Sequence, residues 1–268
     1  MAFRSPEAIV EAACSAGRAK SNLPAGKELL LGFLAGAFIA FGGLVAIVVG
    51  KGSPALAAAN PGLAKLLFAG VFPVGIMLVV ITGSELFTGN CGVIVPACIS
   101  GDAGWRGLLR NWGLVYVGNF VGSIFVALFL GYWTDIINVN AAGLAADLGL
   151  ATAKIAEAKI NIGWGALVLR GLGCNWLVCL AIWLAISADD VIGKSAGLWF
   201  PVMAFVAIGF EHSVANMFFI PLGMLNGANV TWGQFLWNNL LPVTIGNIIG
   251  GAGFVGGVYG WLHTHKGK

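Results

Sequence analysis

The sequence predicts an all-α membrane protein of six transmembrane helices, set as two inverted three-helix repeats with helices 2 and 5 broken. Three observations carry this reading. Hydrophobic residues make up 59% of the 268 and charged ones 9%, with 41 glycines, a balance foreign to soluble domains and disordered chains alike. Gly83-Ser84-Glu85-Leu86-Phe87-Thr88-Gly89-Asn90 and Gly209-Phe210-Glu211-His212-Ser213-Val214-Ala215-Asn216 share Gly-x-Glu-x-x-x-x-Asn, each downstream of a Phe-Pro-Val, and Asn111…Gly118-Asn119-x-x-Gly122 is answered by Asn239…Gly246-Asn247-x-x-Gly250. Each copy holds an odd number of spans, so the second enters the membrane from the opposite side, and a pseudo-two-fold axis lies in the membrane plane.

Ser5-Pro6-Glu7 has the form of a helix start and Asn22-Leu23-Pro24 that of a stop, which predicts an amphipathic surface helix. Charges from Arg4 to Glu28 interrupt any apolar signal core, so no cleaved secretory peptide is expected. Leu29 to Gly50 is uncharged and, at about 1.5 Å per residue, long enough for a hydrocarbon core of roughly 30 Å. Leu66 to Ser84 opens the second span, but Thr82-Gly83-Ser84 and Thr88-Gly89-Asn90 bracket Glu85 with turn formers before apolar sequence resumes at Val93 to Ile99. Irregular backbone at that depth is tolerated only where it is buried in protein or lines a wet cavity, so the break points to a pathway.

Asn111 to Thr134 forms the third span, and residues 135–160 a polar connector with a helical stretch around Ala151 to Ala158. Ile160 to Ser187 is the fourth, interrupted by Arg170. Ser195 to Gly209 and Val214 to Met224 make the broken fifth, and Phe235 to Leu262 the sixth, ahead of His263-Thr264-His265-Lys266. The chain 1–268 is thus one transmembrane domain: a surface helix over 1–28, repeat 1 over 29–134 and repeat 2 over 161–262. The side carrying both termini holds Arg4, Arg18, Lys20, Lys27, Arg106, Arg110, Lys194, Lys266 and Lys268, against Lys51, Lys65, Lys154 and Lys159 opposite, which places the termini in the cytoplasm.

The net charge of +3 is spread out with no basic cluster, which argues neither for nucleic acid nor for a polybasic lipid anchor. The cysteines form no C-x-x-C pair and read as small hydrophobes. Between Ser195 and His265 the one acid or base among Asp, Glu, Lys and Arg is Glu211. A carboxylate beside a break is favoured by the dipole and free N–H groups of the following half-helix, the plain reading of Glu85 and Glu211. His212 has no such role to fill: its plain reading is a neutral ring hydrogen-bonded to backbone, while an ionisable group in mid-span, costing roughly 2.5–3.5 kcal/mol, commonly marks a proton relay or substrate path.

The segments Gly83 to Gly89, Cys174-Asn175-Trp176-Leu177-Val178-Cys179-Leu180-Ala181 and Gly209 to Met217 resemble the signatures of the formate-nitrite transporter family, over Leu29 to Leu262 in order and spacing. Ser187 to Ser195 and Asn216-Met217-Phe218-Phe219-Ile220-Pro221 are most similar to the formate carriers associated with formate dehydrogenase. The resemblance implies a homopentamer of aquaporin-like protomers in the cytoplasmic membrane, each conducting formate or another small weak-acid anion, nitrite and hydrosulfide being the alternatives. It also implies a central His212, facing Thr88 in a loop, that hydrogen-bonds or protonates the substrate, Lys159 as a vestibule lysine ahead of Asn175, and apolar slits of Phe72, Ile76, Leu86, Phe87, Val178 and Phe205. No cofactor, metal or enzymatic step is expected, since neither a nucleophile in register nor a set such as H-E-x-x-H is present. The paired Asn-Pro-Ala motifs of neutral-solute channels are missing too, because Asn90 and Asn216 precede Cys91 and Met217.

Overall fold

The computed structural model describes residues 3–264; His265, Lys266 and Lys268 lie outside them. The first helix, α1 (Pro6–Ser21), begins with the Ser5 hydroxyl accepting the Ala8 N–H at 3.3 Å and stops at Asn22. Its apolar edge of Ile9, Val10, Ala13, Cys14 and Gly17 is buried, and burial pushes the Cys14 thiol above its usual pKa. Gly17 packs so closely that a Cβ there would come 2.5 Å from the Val93 carbonyl oxygen.

Among the described residues six helices are long and apolar enough to cross a membrane: Ala25–Lys51 (α2), Pro61–Thr82, Trp105–Tyr132, Trp164–Ser187, Val191–Ile208 and Trp232–His263. Between the first two lies the short α3 (Pro54–Ala59). The second span is α4 (Pro61–Val71) and α5 (Val74–Thr82) joined through Phe72-Pro73, and it ends at Gly83, φ 77°. After four residues the chain resumes as α6 (Phe87–Ser100). The third span is α7 (Trp105–Phe125), extended by a π-helical stretch to Tyr132. Then come α8 (Leu144–Ile160), α9 (Trp164–Ser187) and α10 (Val191–Ile208), the last capped by Asp190 and closed by Gly209, φ 91°. Following four irregular residues, α11 (Ser213–Leu225) mirrors α6. The last span runs through α12 (Trp232–Gln234), α13 (Leu241–Ile248) and α14 (Val258–Thr264), with π-helical stretches between them.

The structure departs from the sequence reading chiefly in three respects. Both breaks are four residues long, and Thr88, Gly89 and Asn90 are helical although each is a turn former, because Thr88 and Asn90 find side-chain partners inside the protein. The connector helix starts at Leu144 and keeps Ile160, so the fourth span begins at Trp164. The helix over 1–28 is docked rather than merely lying on a surface: α1 packs on α6 as α8 packs on α11, so a short helix precedes the spans of each half.

The spans touch where side chains are smallest. Gly36 and Gly122 meet the backbone of Asn119 and Phe33 across the α2–α7 crossing, and Gly246 and Gly250 of the last span meet Val168 and Leu172 of α9. Small residues at four-residue spacing let helix backbones approach, which supplies the packing that apolar transfer cannot supply within a membrane.

Candidate functional site

Each break is closed by the same three bonds. In the first, the Glu85 N–H donates to the Leu31 carbonyl at 3.2 Å, the Asn119 amide donates to the Glu85 carbonyl at 2.9 Å, and the Phe87 N–H donates to the Asn119 side-chain oxygen at 2.9 Å. In the second, Glu211 N–H to Arg170 O at 3.3 Å, Asn247 to Glu211 O at 3.0 Å and Ser213 N–H to Asn247 Oδ1 at 2.9 Å repeat the pattern. Backbone polar groups opened in mid-membrane are thereby satisfied by a neighbouring span.

The two glutamates do not cap the half-helices that follow them. Glu85 accepts from Lys20 Nζ at 2.6 Å and Asn90 Nδ2 at 2.6 Å; Asn90 also donates to Asn111 Oδ1, and Asn111 reaches back to the Lys20 carbonyl at 3.3 Å. Glu211 accepts from Lys159 Nζ at 2.9 and 2.8 Å and Asn216 Nδ2 at 2.7 Å, with Asn216 donating to Asn239 and Asn239 to the Lys159 carbonyl at 3.0 Å. A buried carboxylate is held by a lysine and an asparagine each time, which offsets the cost of its desolvation. Lys20 and Lys159 come from the last turns of α1 and α8, the two helices that precede the spans.

The fourth residue of each break departs from the symmetry, and there the difference is polar. Where the first break has Leu86, the second has His212, which is itself the N-cap of α11: its Nδ1 accepts the Ala215 N–H at 3.0 Å. Nε2 therefore carries the ring hydrogen and donates to Thr88 Oγ1 at 2.9 Å. Thr88 sits in the first turn of α6 rather than in a loop, and Asn175 Nδ2 holds its carbonyl at 3.0 Å. The imidazole is buried and stacks on Phe205, centroids 5.9 Å apart.

A cavity of about 470 Å³ opens on the Lys159 side and reaches this ring. Of the expected pathway residues, Lys159, Glu211, His212, Phe72 and Phe205 line it, and the Phe72 and Phe205 rings meet edge to face at 6.2 Å. Ile76, Leu86 and Val178 are buried in the central apolar cluster beyond it, Asn175 is buried behind Thr88, and Phe87 packs edge-on against Tyr116 at 4.8 Å. The sequence reading assigned Lys20, Asn90, Asn111, Asn216 and Asn239 no role. The signal was there: Lys20 precedes Leu31-Gly32 by the spacing at which Lys159 precedes Arg170-Gly171.

Six membrane-length apolar helices among the described residues, two inverted breaks and a vestibule reaching a buried imidazole define a multi-pass membrane protein with the form of a channel or transporter. A family model described as Formate/nitrite transporter matches residues 7–261, and the chain belongs to that family. It is 51% identical to a "Probable formate transporter" of Methanothermobacter thermautotrophicus, over 98% of each chain. It is 43% identical to "Formate channel BtFdhC" of Bacillus thuringiensis, over 97% of this chain and 95% of that one. A solved "Pentameric formate channel with formate bound" superposes with a TM-score of 0.77 at 37% identity, covering 89% of this chain and 96% of the other.

Proposed function

We propose that the protein passes formate across the cytoplasmic membrane as a homopentamer, each protomer carrying its own pathway, with the Lys20 side facing the cytoplasm. The observation that carries the reading is His212 held at both ring nitrogens at the floor of the Lys159 vestibule. The relatives named as formate transporter and formate channel, and the pentameric structural neighbour, support substrate and assembly.

Lys159 has three ammonium donors and gives two of them to Glu211, leaving one for an anion entering the vestibule. A bare carboxylate in low dielectric faces an idealised penalty on the order of 20 kcal/mol. Protonating an acid of pKa about 3.9 at pH 7 costs roughly 4 kcal/mol. Formate therefore takes up a solvated proton of the external medium at the vestibule, crosses the slits as formic acid and releases that proton to water on the far side. His212 serves as a hydrogen-bonding post. Giving up its Nε2 proton would leave the ring anionic unless Nδ1 gained one, and Nδ1 already accepts from Ala215. Phe72 and Phe205 form the slit on the Lys159 side, and Leu86, Ile76 and Val178 the one on the Lys20 side, with Phe87 supporting it from behind.

Proteoliposome uptake of labelled formate, nitrite and hydrosulfide over a pH series tests this. Formate flux that rises as external pH falls, and exceeds the other two, supports the reading; flux of nitrite or hydrosulfide without formate would refute the cargo.

A further inference from the structure

Arg170 belongs to none of these networks. Its carbonyl serves the second break, but its exposed side chain has no hydrogen-bond or ion-pair partner among the described residues. The corresponding residue of repeat 1 is Leu31, so the charge is peculiar to one half. Arg170 lies six residues into α9, about 9 Å along its axis. Helical Cα–Cβ bonds tilt toward the N-terminus, here the Lys159 end, so the guanidinium reaches back along the helix toward that membrane surface. The surface is marked by exposed Trp164 and Trp237, joined through Trp164 Nε1 to Trp237 O at 2.9 Å, the pairing expected at headgroup level.

Beside and below Arg170 runs an apolar groove of about 430 Å³, lined by Leu169, Leu172, Gly173, Trp176, Leu180 and the ring of Phe210. Gly173 leaves the room in which Phe210 lies, since a Cβ there would meet the ring at 2.5 Å. From Leu169 to Leu180 the groove extends about 16 Å, close to the hydrocarbon depth of one leaflet, half of roughly 30 Å. We propose that this is a phospholipid site: Arg170 binds the headgroup phosphate in the leaflet on the Lys159 side, and one acyl chain lies along α9 against Phe210. The charge selects this occupant over a second copy. Within the spans every acidic side chain, Glu28, Glu85 and Glu211, is buried and already accepts from a cation of its own protomer, whereas the membrane supplies phosphate at the depth the guanidinium reaches.

Native mass spectrometry of the delipidated full chain, titrated with dioleoyl phosphatidylglycerol beside dioleoylglycerol, tests the site. Tight phosphatidylglycerol retention should weaken about tenfold in Arg170→Leu and persist in Arg170→Lys. Leu169→Trp, which fills the groove with the guanidinium intact, should weaken it as well, and millimolar inorganic phosphate should not compete. Equal retention of the two lipids, no loss in Arg170→Leu, or displacement by inorganic phosphate would overturn the proposal. So would an Arg170→Leu assembly that falls apart on size exclusion while its lipid affinity is unchanged, since the guanidinium would then face another copy.

Discussion

His212 is tied to Ala215 through Nδ1 and to Thr88 through Nε2, so its orientation and tautomer are set before any substrate arrives. Thr88→Val removes the acceptor for Nε2 and frees the ring to turn about its cap; formate flux should drop several-fold with the protein still folded, as liposome uptake beside thermal unfolding would reveal. His212→Phe removes the imidazole of the proposed pathway, and unchanged flux with unchanged pH dependence would make it a bystander. Lys159 and Glu211 behave differently because both are largely buried. Lys159→Met strands the carboxylate and should cost about 3–5 kcal/mol, while Lys159→Met with Glu211→Gln should recover much of that, measurable as a double-mutant cycle in detergent.

At the scale of elements, the breaks depend on two glycines with left-handed backbone. Around Gly83, φ 77°, a Cβ would meet nothing within 4 Å, so Gly83→Ala isolates conformational strain of about 1–2 kcal/mol. Gly122→Ala drives a methyl into the Phe33 carbonyl across the α2–α7 crossing, where neither backbone can yield, and should destabilise by more than Gly83→Ala does. Comparing unfolding midpoints of the two variants checks that order. The docked helices belong to this scale as well: α1 and α8 each deliver a lysine to the glutamate of a break, so neither is an appendage to its repeat.

Over the whole molecule, the inverted repeat makes the Lys20–Glu85–Asn90 and Lys159–Glu211–Asn216 clusters equivalent, one at each end of the proposed path. Lys20→Ala should therefore impair formate entry from its side as Lys159→Ala does from the other, which flux in oriented proteoliposomes at low formate would separate. The weak-acid route has a definite sign: above the acid's pKa each unit fall in external pH raises the neutral fraction about tenfold, so uptake climbs with acidity until another step limits it. Six spans, the inverted duplication and the two breaks were legible in the chain itself, because hydropathy and a recurring Gly-x-Glu-x-x-x-x-Asn are one-dimensional signals. His212 stood out for the same reason, as an ionisable group in an apolar run. Tertiary structure alone decided that Lys20 and Lys159 each reach a buried glutamate, that the glutamates take these lysines rather than helix N–H groups, and that Thr88 reaches His212 from 124 positions away. Those pairings arise only when two oppositely inserted repeats pack against each other, and a linear pattern carries each repeat's own periodicity but not the contacts between them.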